Sequence, residues 1–108
     1  MRTHQQIDRR SLVLARAVAE RIDRDPSHAG LDTARQVCRR WKQQGVSGAI
    51  DEWLAILAGS WEQVRAVLLA DDEEGRRLRQ STPFCGILTP RERWEIYERF
   101  ANDEAARA

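Results

Sequence analysis

Cysteine and histidine are scarce in this chain: two of each among 108 residues. His4, His28, Cys38 and Cys85 are scattered, with no pair at ligand spacing, which argues against a zinc site. Two cysteines define no disulfide framework, and a domain of this size in the cytosol would keep both thiols reduced. The six glycines stand singly, so no glycine-rich loop is available to cradle a phosphate. No run of about 18 apolar residues exists, which argues against a membrane span. The N-terminus, with Arg2, His4, Gln5 and Gln6 before Asp8, lacks the apolar run and small-residue cleavage site of a secretory leader, and a cytoplasmic protein is expected. No segment alternates apolar and polar residues as a half-buried strand would.

Charge of one sign is also missing overall, the net formal charge being only +1. Its distribution is less even. Residues 1–48 carry ten Lys/Arg and five Asp/Glu, residues 49–108 eight and twelve, so a basic half faces an acidic one. Such a division can steer a charged partner, or it can be the solvated faces of packed helices.

What is abundant is a mixture of 42% hydrophobic and 32% charged residues, with four tryptophans. That is the composition of a folded globule. At this length one core, and so one helical domain over residues 1–108, is expected. Periodicity makes the fold all-α, a compact bundle of about five helices. The first helix is predicted over about 8–24, with Leu14, Val18 and Ile22 on one stripe, stopped before Pro26. A second runs from Leu31 to Gln44 with Leu31, Ala34, Cys38 and Trp41 on one face, and Gly45 stops it. Ile50, Trp53, Leu54 and Leu57 mark the third, and Gly59 closes it.

Ser60 and Gln63 form a capping box for a fourth helix with Trp61, Val64 and Leu68 facing inward. Residues 71–79 run acids first and bases last, as a helix dipole prefers, with Asp72–Arg76 and Glu73–Arg77 at i, i+4. They read as a short solvated helix anchored by Leu78. Thr89, Pro90 and Glu92 supply an N-cap, a first-position proline and a capping-box acid for the last helix. Trp94 and Tyr97 share one side of it and Ile96 and Phe100 an adjacent one. The ends, 1–7 and 101–108, are expected to fray.

Catalytic machinery is hard to assemble from these residues. A thiol nucleophile at Cys85 would need folding to bring His28 to it. Asp71, Asp72, Glu73 and Glu74 point in different directions on a helix, and a convergent site would need Glu92, Glu95 and Glu98 from another. No enzyme activity, cofactor or metal is expected. Binding is the expected role. The loop 81–88 is unusually apolar for a connection, so Phe84, Ile87 and Leu88 with Trp94 and Tyr97 are the candidate partner-binding residues, unless the loop is a lid over the core. The alternative is a DNA-binding transcriptional regulator, with Arg35, Arg39, Arg40 and Lys42 of the second helix meeting phosphates. The third helix suits base reading poorly, since beyond Asp51 and Glu52 it is mostly apolar. A homo-oligomer is compatible with either role.

The stretch from Arg79 to Tyr97, containing Ser81-Thr82-Pro83-Phe84-Cys85-Gly86-Ile87-Leu88-Thr89-Pro90-Arg91-Glu92-Arg93-Trp94, resembles the ending of a group of small bacterial proteins. In that group a tryptophan-bearing helix, as in Asp51-Glu52-Trp53, precedes a segment like Leu78-Arg79-Gln80-Ser81. The likeness covers most of the chain. It implies the smaller member of a two-gene, toxin–antitoxin-like module that accompanies a nucleotidyltransferase-like protein. It implies no catalytic residues, and an antitoxin-like role would consist of covering the partner's active cleft or holding the partner inactive.

Overall fold

Helix boundaries follow local start and stop chemistry. The computed structural model describes residues 4–107, and its elements are α1 (His4–Asp23), α2 (Ala29–Gln43), α3 (Ile50–Leu57), α4 (Trp61–Leu68), α5 (Glu73–Arg79) and α6 (Pro90–Arg107). There is no strand among the described residues. Ser60 and Gln63 close the expected capping box on α4. Thr89 and Glu92 form another on α6, Glu92 N–H donating to Thr89 Oγ1 at 3.1 Å and Thr89 N–H to Glu92 Oε1 at 3.0 Å. At the end of α2, Gly45 takes φ 68° while its N–H donates to Lys42 O and that of Val46 to Trp41 O. This is the Schellman stop, which needs a residue tolerant of the left-handed region.

Three boundaries differ from the sequence reading. α2 begins at Ala29 because Asp25 accepts from the N–H groups of Ser27 and Ala29, at 3.0 and 2.9 Å, and turns the chain early. Those bonds, Ala29's first, hold the Asp25 carboxyl below its ordinary pKa. The turn leaves His28 at φ 50°, a left-handed conformation uncommon outside glycine. The ends are helical where fraying was expected, over 4–7 and 101–107, and Arg9 pairs with Glu104 at 2.7 Å to tie α1 to the last turns of α6. Residues 1–3 and 108 of that expectation lie outside the described residues.

The helix count is six, not about five, because 73–79 is a full structural member. Asp72 caps it through Gly75 N–H at 2.7 Å, and Gly75, Leu78 and Arg79 are all buried. The carbonyl of Ala70 lies where a Cβ on Gly75 would sit, so only glycine allows this approach. The anticipated Asp72–Arg76 and Glu73–Arg77 pairs give way to others, two of them local and two tertiary. Arg76 meets Asp71 at 3.4 Å and Asp8 at 3.8 Å, while Arg77 bridges Glu74 at 2.7 Å and Glu52 on α3 at 2.6 Å.

α1 packs against α2, α4, α5 and α6, and α2 lies along α3. Their buried faces merge in one core from Ala15 to Ile96. The predicted stripes supply Val18 and Ile22 of α1, Leu31, Ala34 and Cys38 of α2, Ile50, Trp53 and Leu57 of α3, and Trp61, Val64 and Leu68 of α4. Leu14, Trp41 and Leu54 are only partly buried at its margin. Trp53 is at the centre, fully buried, its indole N–H donating to Leu78 O at 2.9 Å. Trp61 donates to Asp23 at 2.8 Å, and that bond, with Arg65, draws the Asp23 carboxyl below its ordinary pKa.

Candidate functional site

The apolar loop joining α5 to α6 is folded inward. Phe84 is only 2% exposed and meets the rings of Trp53 and Trp61 edge-on, with centroids 6.0 and 6.4 Å away. Pro83 and Leu88 are buried beside it, and Ile87 is half-buried near Ile22 and Gly30. Phe84 and Leu88 thus close the core and offer no free ring or side chain to a partner's surface. Cys85 and Gly86 are the exposed part of the loop.

The two α6 candidates diverge. Trp94 is 62% exposed, the most exposed large hydrophobic side chain among the described residues. Tyr97, one turn further, is half-buried and lies under the Arg10 guanidinium of α1, whose carbon is 3.6 Å from the ring centroid. Ile96 and Phe100 are the buried stripe of this helix. The alternation Trp94 out, Ile96 in follows from α6 resting mainly on α1, which covers a narrow stripe only.

Between α1, the 81–88 loop and α6 runs a groove of about 410 Å³. Leu14, Leu68, Phe84 and Leu88 form its apolar walls. Arg10, Arg79, Arg93 and Tyr97 supply its polar ones. Arg79 was not singled out from the sequence as a functional residue, since it closes an acids-then-bases run that reads as a solvated helix. It is 5% exposed. Nη1 donates to Leu68 O at 3.1 Å and Ala70 O at 2.6 Å, and Nε to Ser11 Oγ at 3.2 Å. Nη2 is buried without a hydrogen-bond partner. Burial lowers the Arg79 pKa from the ordinary guanidinium value, against the opposing pull of Asp71, Asp8 and Asp72.

The four basic residues of α2 do not form one free face. Arg35 turns inward, Nε donating to Leu57 O at 2.7 Å and Nη2 to Gly59 O at 3.3 Å, and it also pairs with Asp32. Lys42 pairs with Asp51 at 2.5 Å. Arg39 and Arg40 are exposed.

Of the other chemically active groups, Cys38 is buried, its thiol donating to Ile50 O at 3.5 Å, and burial raises its pKa with help from the charge of Asp51. His28 rests against Trp61 with centroids 5.9 Å apart. Among the described residues no group of three His, Cys, Asp or Glu side chains is arranged to hold a metal ion, and no helix is long and apolar enough to cross a membrane. In comparison with known proteins, the chain matches no family model, no curated protein and no solved structure.

Proposed function

We propose that this chain is a non-catalytic protein-binding module, the antitoxin-like companion of a nucleotidyltransferase-like protein, and that it docks through the outer face of α6. The observation that carries the reading is the exposure of Trp94. An indole left in water gains nothing for the fold, whereas tryptophan is prominent among residues that anchor protein interfaces. Arg91, one turn before it, and Glu95 and Glu98 give this face a charged rim of both signs, with Arg91 and Glu95 paired at 3.3 Å. The resemblance of residues 79–97 to the smaller members of two-gene modules supplies the kind of companion. Phe84, Ile87 and Leu88 act indirectly here, by fixing where α6 begins and so where Trp94 points.

The DNA-binding alternative draws less support, because Arg35 and Lys42 are already engaged and only Arg39 and Arg40 remain of the four. The test is calorimetric titration of this protein with the product of the adjacent reading frame. Trp94→Ala should weaken the complex by about 30-fold, the scale of an interface hot spot, with the melting temperature unchanged. No binding by the unmodified protein, or undiminished binding by the variant, would refute the proposal.

A further inference from the structure

The groove between α1, the 81–88 loop and α6 has a property that the packing of the fold does not require. Arg79 ties α5 to the end of α4 and to Ser11 of α1, and Nη1 and Nε suffice for that task. Nη2 is left over, buried and unpartnered. Buried donors are nearly always satisfied, and an orphan on a cation is the costliest kind. The nearby acids are not placed to satisfy it, since Asp8 and Asp71 face Arg76 and Asp72 caps α5. Arg10 and Arg93 stand on the same groove, and like Arg79 they have no ion-pair partner among the described residues. Three arginines without an ion pair therefore line a hollow whose other walls are mostly apolar.

We propose that this groove is a binding site for a small carboxylate-bearing amphiphile, its carboxylate held by Arg79 with Arg10 and Arg93 beside it and its apolar body against Ile7 and Leu14, the more accessible of the apolar lining residues. A carboxylate is an acceptor-only, singly charged group that completes a guanidinium fork. The volume of about 410 Å³ falls within the range of small-molecule sites, which are mostly apolar with a few convergent polar groups. Arg79 is buried and Arg10 and Arg93 are half-buried, which favours a small ligand that enters over a protein surface that covers. Trp94 is not part of these walls. This proposal therefore stands apart from the docking face on α6.

The experiment is an NMR titration of the full chain with decanoate below its micelle concentration, beside decanol and a short peptide ending in leucine. Decanoate should give saturable shifts at the Arg79 side-chain N–H and at the methyl groups of Ile7 and Leu14. Decanol should bind about ten-fold or more weakly, the scale of a charge-assisted hydrogen bond. Arg79→Met should abolish decanoate binding. Because Arg79 also braces the fold, Leu14→Trp is the second variant: it fills the groove from a half-buried wall position and should lose binding while keeping the native spectrum elsewhere. Trp94→Ala should bind decanoate normally. Equal binding of decanol, shifts confined to other surfaces, no binding at all, or undiminished binding by folded Leu14→Trp would each overturn the proposal. A peptide that binds more tightly than decanoate would also overturn it, in favour of a protein tail as occupant.

Discussion

Trp53 and Trp94 each stand within the first turn and a half of an amphipathic helix, yet one is fully buried and the other is 62% exposed. The difference is in the number of neighbours. α3 lies between α2 and α4, with the 81–88 loop folded over it, so Trp53 meets Phe84 on its edge and Leu78 O at its indole N–H. α6 leans mainly on α1 and buries little more than Ile96 and Phe100. A helix enclosed from several sides commits its large side chains to the core, while one with a single main neighbour keeps most of its circumference for solvent or a partner.

The largest effect should come from the enclosed region. Phe84→Ala is expected to cost about 3–5 kcal/mol, the range for truncating a buried phenylalanine, because it removes the ring between Trp53 and Trp61. Urea denaturation would measure it, and a loss below about 1 kcal/mol would mean that the loop does not seal the core. Gly75→Ala should follow at about 1–3 kcal/mol, since the added methyl meets the Ala70 carbonyl and α5 must shift away from α4. Helix capping at the boundary between the two regions comes next: Thr89→Ala should cost about 1 kcal/mol in the same assay.

A smaller, pH-dependent effect is expected at the α1–α2 turn. The folded-state pKa of Asp25 is lowered by its bonds to Ala29 and Ser27, so its contribution is present above the usual carboxylate pKa and is lost as the pH falls through the lowered folded value. In Asp25→Ala, the fall in stability on acidification from about pH 5 downward should be shallower than in the unmodified protein. An unchanged acid limb would mean that the turn does not rely on this carboxylate. Least of all, Trp94→Ala should change stability by no more than about 0.5 kcal/mol, as for a surface site without structural contacts. A loss of the Phe84→Ala size would erase the contrast between the two tryptophans.

Much of the fold was legible because its signals are local. The Ser60–Gln63 and Thr89–Glu92 boxes and the Gly45 stop each need only residues a few positions apart. The core stripes of α2, α3 and α4 were likewise visible as spacings of three and four. The start of α2 was misplaced because Asp25 works through a turn whose geometry includes a left-handed His28, which no periodicity announces. Of the candidate partner residues, the burial of Phe84 and Leu88 and the exposure of Trp94 could not be separated by type, since all are large and apolar.

The sequence by itself determined that the chain is helical, where most of its helices start and stop, and which residues of α2, α3 and α4 face inward. These depend on backbone hydrogen bonds within one turn and on a period of 3.6 residues, both written in adjacent positions. Only the tertiary structure decided that α5, though mostly exposed, buries Gly75 and Arg79 beside Leu78, that Arg77 and Arg35 reach other helices, and that Arg79 leaves a buried Nη2 without an acceptor. Side-chain reach, burial and the closing of a groove all depend on which helices become neighbours, and that is settled when distant segments meet in the core.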